Sequence, residues 1–208
     1  MSLILPSRRL VLLGASAATL AACHKDGGAA GALPDDMSLG NPGAKVTVIE
    51  YASVACPVCG RWFKEVWPAF KAKYVDPGKV HYVFREMLVG NSDEMTAAAS
   101  GFLLARCAGR QRYFTMIDAV FNSQPDLFND PRGVLLNIAK SAGFTEDQFN
   151  GCVQNEAQLN ALNKRTQDNA QKNDITATPT FVINGVKLEP GYHPLSDLDA
   201  AIAKAQGS

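Results

Sequence analysis

Apolar and polar positions change period along the chain, and the changes mark out its elements. Residues Lys45 to Tyr51 form a short, β-branched apolar run of strand character. After the loop Ala52 to Ala55, the residues Cys59, Trp62, Phe63, Val66 and Phe70 recur at three- and four-residue steps. That spacing predicts a helix whose apolar stripe lies on a sheet. Pro68 should kink or interrupt it, because proline lacks an N–H and its ring crowds the preceding turn. Asp76-Pro77-Gly78 signals a turn, and Val80 to Arg85 reads as a second strand. Strand, helix and strand in this order imply parallel pairing through a crossover.

From about 92 to 173 the helical period takes over. Ser92 with Asp93 and Glu94 is a helix start, Met95, Ala98 and Phe102 form its stripe, and Gly109 can end it. Tyr113, Ile117, Val120 and Phe121 mark a second helix, and Val134, Leu135 and Ile138 a third that stops near Gly143. Thr145 and Gln148 fit a capping box, with Phe144 and Phe149 placed as its hydrophobic staple. A last, mostly polar helix runs from about Glu156 to Gln171. The period then returns to two: Thr180 to Ile183 and Val186 to Leu188 flank Asn184-Gly185, a strong hairpin signal. Pro194 opens a closing helix with Leu195, Leu198 and Ile202. The order βαβ, helical block, ββα is an α/β chain of thioredoxin-like fold with an all-helical insertion.

Composition narrows the setting. With 208 residues, 47% of them hydrophobic and 19% charged, there is material for one good-sized domain, here 44–208. Lys and Arg total 20 against 20 Asp and Glu. Removing the segment before Cys23 takes away only Arg8 and Arg9 and leaves 18 basic residues, so no basic surface for nucleic acid is indicated. Residues 1–22 read as an export signal: a positive start, an apolar core from Leu10 to about Leu20, then small residues. That core is too short for an ordinary membrane span. Leu20-Ala21-Ala22-Cys23 resembles a bacterial lipobox, which would make Cys23 a lipidated first residue held to a membrane; ordinary signal-peptidase cleavage is the alternative. Ser7-Arg8-Arg9-Leu10-Val11-Leu12 also resembles a twin-arginine signal. Either route leads to an oxidising compartment. Residues 23–43, rich in Gly, Ala, Pro and Asp, read as a flexible tether.

The chemistry centres on Cys56-Pro57-Val58-Cys59 at the strand-to-helix junction. Free N–H groups and the positive dipole end of a helix favour a thiolate there, so Cys56 is the candidate attacking sulfur and Cys59 its partner. A zinc half-site and a pair of inert core cysteines are the other readings. Structural zinc needs four ligands, and His24, His81 and His193 are isolated in sequence. Glu50 is a carboxylate at the end of an otherwise apolar strand, an exception that asks for a reason.

Glu50-Tyr51-x4-Cys56-Pro57-Val58-Cys59, a roughly 80-residue helical insertion, and Thr178-Pro179-Thr180-Phe181 before the hairpin together resemble the DsbA family of thiol:disulfide oxidoreductases. The resemblance covers Lys45 to about Ala205. It implies a periplasmic enzyme acting on cysteines of exported proteins and reoxidised by a membrane quinone-linked partner, with no organic cofactor or metal. It implies a cis Thr178-Pro179 bond against the active-site disulfide, leaving the Thr178 backbone free for an extended substrate segment. It also implies that Glu50 assists proton transfer at the buried cysteine, and that Cys107 and Cys152, as in some members, form a second, non-catalytic disulfide. Val58 stands where many strongly oxidising members have His, and Thr178 where they often have Val; isomerase and reductant therefore stay open beside oxidase. Isomerases usually carry a dimerisation domain, and the segment before Lys45 is too short for one, so a monomer is expected. A membrane-tethered metal-binding module using the two cysteines is the non-enzymatic alternative.

Overall fold

Strand β2 (Val46–Ala52) lies at the centre of a five-stranded sheet, and everything else is placed relative to it. The computed structural model describes Met1 and residues 31–207. The expected signal 1–22, with Arg8 and Arg9, the lipidation position Cys23 and the first part of the tether lie outside the described segment 31–207. The sheet order is β1 (Met37–Gly40), β3 (Val80–Glu86), β2, β4 (Thr180–Ile183), β5 (Val186–Lys187). β2 runs parallel to β3, Val46 facing Val80 and Ala52 facing Glu86, and antiparallel to β4, Glu50 facing Phe181.

Alternation splits the sheet's side chains between two apolar clusters. Val46, Val48, Tyr82, Phe84, Phe181 and Ile183 join the larger one, with Trp62 and with Leu198 and Ile202 of the closing helix. Ile49, Tyr51, Val83 and Val182 join the smaller, with Ile175. The parallel crossover begins with α1 (Pro57–Glu65), whose stripe buries Cys59 and Trp62. Pro68 interrupts as expected: α1 ends, and a short α2 (Trp67–Phe70) follows with proline in its first turn, then a π-helical turn, Lys71–Val75. Trp62 packs against Phe181 with ring centroids 4.9 Å apart and the rings tilted by 49°, joining α1 to β4.

The insertion consists of α3 (Ser92–Cys107), α4 (Arg110–Asn122), α5 (Gln124–Leu127), α6 (Pro131–Ser141), α7 (Glu146–Val153) and α8 (Glu156–Lys172). The cap of α3 is Asn91, one residue before the expected Ser92; its side chain and Glu94 form a capping box. The Thr145–Gln148 capping box is present on α7. The hairpin turns through Asn184 and Gly185, both at positive φ (46° and 82°), which an Asn-Gly pair adopts readily. The chain closes with α9 (Leu195–Gln206), preceded by Pro194 at its cap.

One expectation needs correcting. The tether read over 23–43 does not reach 43: residues 37–40 form β1, paired antiparallel with β3 from Met37 against Phe84 to Gly40 against His81. Two forces order this stretch. Met37 is buried in the core, and Asp36 ion-pairs with the buried Arg85 at 2.9 Å. Arg85 also donates to the Tyr51 hydroxyl at 2.7 Å and to the Gly31 carbonyl at 2.9 Å, while Arg106 and Arg110 grip the carbonyls of Pro34, Asp35 and Asp36.

At the end of β3, the buried Glu86 carboxylate ties sheet to insertion. It pairs with Arg106 of α3 at 2.6 Å and Arg165 of α8 at 3.2 Å, and accepts from the Tyr113 hydroxyl of α4 at 3.0 Å. A buried charge held by several partners in this way is tolerated where a lone one would not be. Among the described residues no helix is long and apolar enough to cross a membrane.

Candidate active site

Cys56 occupies the cap position ahead of α1, with extended backbone (φ −82°, ψ 120°) and Pro57 opening the helix. Its sulfur therefore faces free N–H groups of the first turn. The structure holds the pair as free thiols, Cys56 half-buried and Cys59 buried. The Cys56 thiol is lowered from its ordinary 9.0 to about 6. The Cys59 thiol beside it is the main cause, burial opposes it, and the Thr178 side chain and the Cys59 and Val58 backbone groups add to it. Cys59 moves the other way, well above the ordinary thiol value, mainly because burial penalises its charged form. One sulfur is thus poised to ionise and the other to stay protonated.

The other half of the site comes from the opposite end of the chain. Thr178-Pro179 is a cis peptide bond immediately before β4. The Cys56 thiol donates to the Thr178 carbonyl at 3.4 Å. Thr180 Oγ1 donates to the Ala177 carbonyl at 2.7 Å, and the Gly191 N–H to the Pro179 carbonyl at 2.8 Å, which hold the segment on both sides. Thr176 and Ala177 are exposed beside it, as are Pro57 and Val58 on the cysteine side.

Glu50 sits on the larger-core face of β2, 2% exposed. Burial raises its carboxyl from 4.5 to about 8, against the lowering effect of the Tyr82 hydroxyl, which donates to Oε2 at 2.5 Å, and with a further rise from the charge of Cys56. Its own charge raises Cys59 in turn. A carboxyl of this kind is mostly protonated near neutrality and can supply or take a proton.

The structure brings Cys56, Cys59, Thr178, Pro179 and Glu50 to one end of the sheet. It places Cys107 and Cys152 elsewhere, joined to each other between α3 and α7 with Cα atoms 5.8 Å apart. His193 bonds to Asp197 and to the Glu189 carbonyl beside α9, and His81 is buried on β3. Among the described residues no cluster of three or more His, Cys, Asp or Glu side chains is placed to hold a metal ion. Sequence reasoning missed two contributors. Tyr82 looked like one more aromatic of a strand. Gln124, at the start of α5, donates to the carbonyls of Val54 and Cys56, and nothing in its neighbourhood of the sequence marks it.

With this geometry in place, the comparisons are consistent. A family model described as Thioredoxin matches residues 32–204. A Rickettsia conorii relative named as a protein-disulfide oxidoreductase is 32% identical over 174 residues, 82% of this chain and 60% of the relative, so the chain spans about three fifths of that protein. Disulfide bond formation protein D of Bacillus subtilis is 26% identical over 159 residues, 70% of this chain and 66% of that protein. The crystal structure of Wolbachia pipientis alpha-DsbA1 superposes with a TM-score of 0.77 at 31% identity, covering 85% of this chain and 94% of that one. On fold, on site and on relatives, the chain belongs to the thioredoxin family and is similar to its DsbA-like members.

Proposed function

We propose that the chain is a thiol:disulfide oxidoreductase that exchanges a Cys56–Cys59 disulfide with cysteines of exported proteins, working as an oxidase. The observation that carries this reading is the split within the pair: a half-exposed Cys56 thiol lowered to about 6 beside a buried Cys59 raised above its ordinary range. A substrate thiolate attacks Cys56 Sγ; the Cys56–Cys59 bond breaks and its electron pair goes to Cys59. Buried Cys59 is a poor site for charge, and Glu50, protonated up to about pH 8, supplies the proton. The substrate's second thiolate then attacks the substrate sulfur of the mixed disulfide and expels Cys56 as a thiolate, a good leaving group at its lowered pKa. Two substrate thiols are oxidised and one enzyme disulfide is reduced. Stabilising the Cys56 thiolate stabilises the reduced enzyme, which drives exchange toward oxidised substrate.

The segment Thr176 to Thr178, exposed at Thr176 and Ala177 and half-buried at Thr178, suits an extended substrate segment, its backbone pairing at Thr178 while its sulfur meets Cys56. The leader over 1–22 would deliver the protein to the periplasm, lipid on Cys23 would hold it at a membrane, and a quinone-linked membrane partner would reoxidise it. Among the described residues, the metal-binding alternative would have to rest on Cys56 and Cys59 without a third His, Cys, Asp or Glu ligand placed beside them.

Two measurements test the reading. Cys59→Ala is expected to accumulate mixed disulfides through Cys56 with reduced, unfolded exported proteins; failure to trap any sinks the catalytic role. The reduction potential decides direction: a value near DsbA's, about −120 mV, supports the oxidase, and one near thioredoxin's, about −270 mV, makes it a reductant.

A further inference from the structure

The loop that delivers Cys56 to the head of α1 is held from outside the thioredoxin fold. Gln124 belongs to the insertion, yet its side chain is 6% exposed and turned into the loop 54–56. Its amide nitrogen donates to the Val54 carbonyl at 2.8 Å and to the Cys56 carbonyl at 2.9 Å. The Cys56 carbonyl also accepts the first hydrogen bond of α1, from the Gly60 N–H at 3.0 Å. The cap residue is thus fixed by two donors on its carbonyl, and its own N–H is spent on the Ser53 carbonyl at 3.1 Å. With both peptide units pinned, the cap backbone is held where the Val58 and Cys59 backbone groups act on the sulfur and lower its pKa.

A second observation shows how closely the amide is seated. A Cβ built on Gly60 would lie 2.1 Å from Gln124 Oε1 and 2.7 Å from its Cδ. Gly60, directly after the two cysteines, is therefore the residue that leaves room for the Gln124 amide. Any side chain there pushes the amide off the loop, because Gln124 is the group free to rotate.

We propose that Gln124 is a positioning residue for Cys56: through its paired hydrogen bonds to Val54 and Cys56, made possible by Gly60, the insertion sets how strongly the Cys56 thiolate is stabilised. The assignment rests on Cys56 being the sulfur that exchanges with substrate. It gives the insertion a part in the redox chemistry as well as in covering the sheet.

The test uses the full chain in four forms: wild type, Gln124→Met, Gly60→Ala, and both together. Methionine keeps the volume and removes the donors; alanine leaves Gln124 in the chain but evicts its amide. Two quantities are read, the pH dependence of Cys56 alkylation by iodoacetamide and the equilibrium constant with glutathione. Each single variant is expected to raise the Cys56 thiol pKa and to move the glutathione equilibrium toward enzyme disulfide by about tenfold, the net worth of one or two hydrogen bonds. The second change should add almost nothing to the first, because both remove the same contact. A folded variant of either kind with the wild-type alkylation profile and constant overturns the proposal, and so does full additivity of the two. Should Gln124→Met not fold, Gly60→Ala alone decides. A wild type whose Cys56 shows no acid-shifted thiol points elsewhere, to failure of the redox reading beneath it.

Discussion

The chain carries two cysteine pairs whose surroundings have little in common. Cys56 and Cys59 sit three residues apart at a helix start, against a buried carboxyl, a carbonyl from the far end of the chain and an amide from the insertion. Cys107 and Cys152 are 45 residues apart, at the end of α3 and within α7, and clasp two helices of the insertion. The sulfur chemistry is the same in both. Both pairs join a more exposed sulfur to a buried one, Cys56 to Cys59 and Cys107 to Cys152. The difference is what surrounds them. Cys56 caps a helix start, where free N–H groups favour its thiolate and give the disulfide a direction of attack and a preferred leaving group. Cys107 ends α3 and Cys152 lies within α7, so neither meets a helix start.

That contrast can be broken most sharply by exchanging serine for cysteine. Cys56→Ser is expected to abolish oxidation of a dithiol substrate, a loss of at least about a thousandfold, since the disulfide that accepts the substrate's electrons can no longer form. The double change Cys107→Ser with Cys152→Ser should leave the exchange rate within a few fold. It should instead lower unfolding free energy by up to about 4 kcal/mol, the chain-entropy figure for a loop of this length. Denaturant unfolding beside a dithiol-oxidation assay checks both, and a double variant as inactive as Cys56→Ser would erase the distinction.

Next in size is the effect of Glu50. Unfolded, its carboxyl titrates near 4.5, and folded near 8, so the folded state holds the proton more tightly. Stability is then untouched below about pH 4.5 and declines as pH rises to about 8, by at most about 1.4 kcal/mol per unit. Glu50→Gln should remove that decline, becoming more stable than wild type at pH 8, while slowing substrate oxidation by about ten- to a hundredfold through loss of the proton donor. Denaturation midpoints at pH 5 and 8 read the first effect; parallel pH dependence in the two proteins would contradict the buried carboxyl.

A third test compares the sulfurs of the active pair. In the reduced protein, Cys56 should alkylate with a midpoint near pH 6, and Cys59 should stay unmodified through neutral pH. Peptide mapping after a short iodoacetamide pulse distinguishes them, and equal labelling would remove the asymmetry. The smallest effect concerns Val58, which is 41% exposed beside Cys56. Val58→His places a cation at the helix start when protonated, and is expected to shift the glutathione equilibrium toward the reduced enzyme by about three- to tenfold.

How much of this could be read from the sequence follows the reach of each interaction. The two-cysteine turn, the Asn184-Gly185 hairpin and the Thr145 capping box are local, and each carries its signal within a few residues. The partnership of Cys56 with Thr178 spans 122 residues and was reachable only through family resemblance. β1 offered no signal, because a four-residue edge strand has almost no period; its order comes from Arg85, Arg106 and Arg110, all distant in sequence. Gln124 was unreadable for the same reason, a glutamine ahead of Pro125 looking like any polar helix start. Even so, the cost of a side chain at Gly60 shows that the contact is specific.

Glu86 has a consequence for modularity. The helical insertion reads in sequence as a block that could be lifted out to leave a small thioredoxin. At the end of β3, however, a carboxylate 2% exposed spends its charge on Arg106, Arg165 and Tyr113, all of them inside that block. Excising 92–173 would strand that charge without those counter-ions at the end of a core strand. The sheet is therefore not self-sufficient. Any shortened descendant of this chain, natural or designed, has to change position 86 together with the cut.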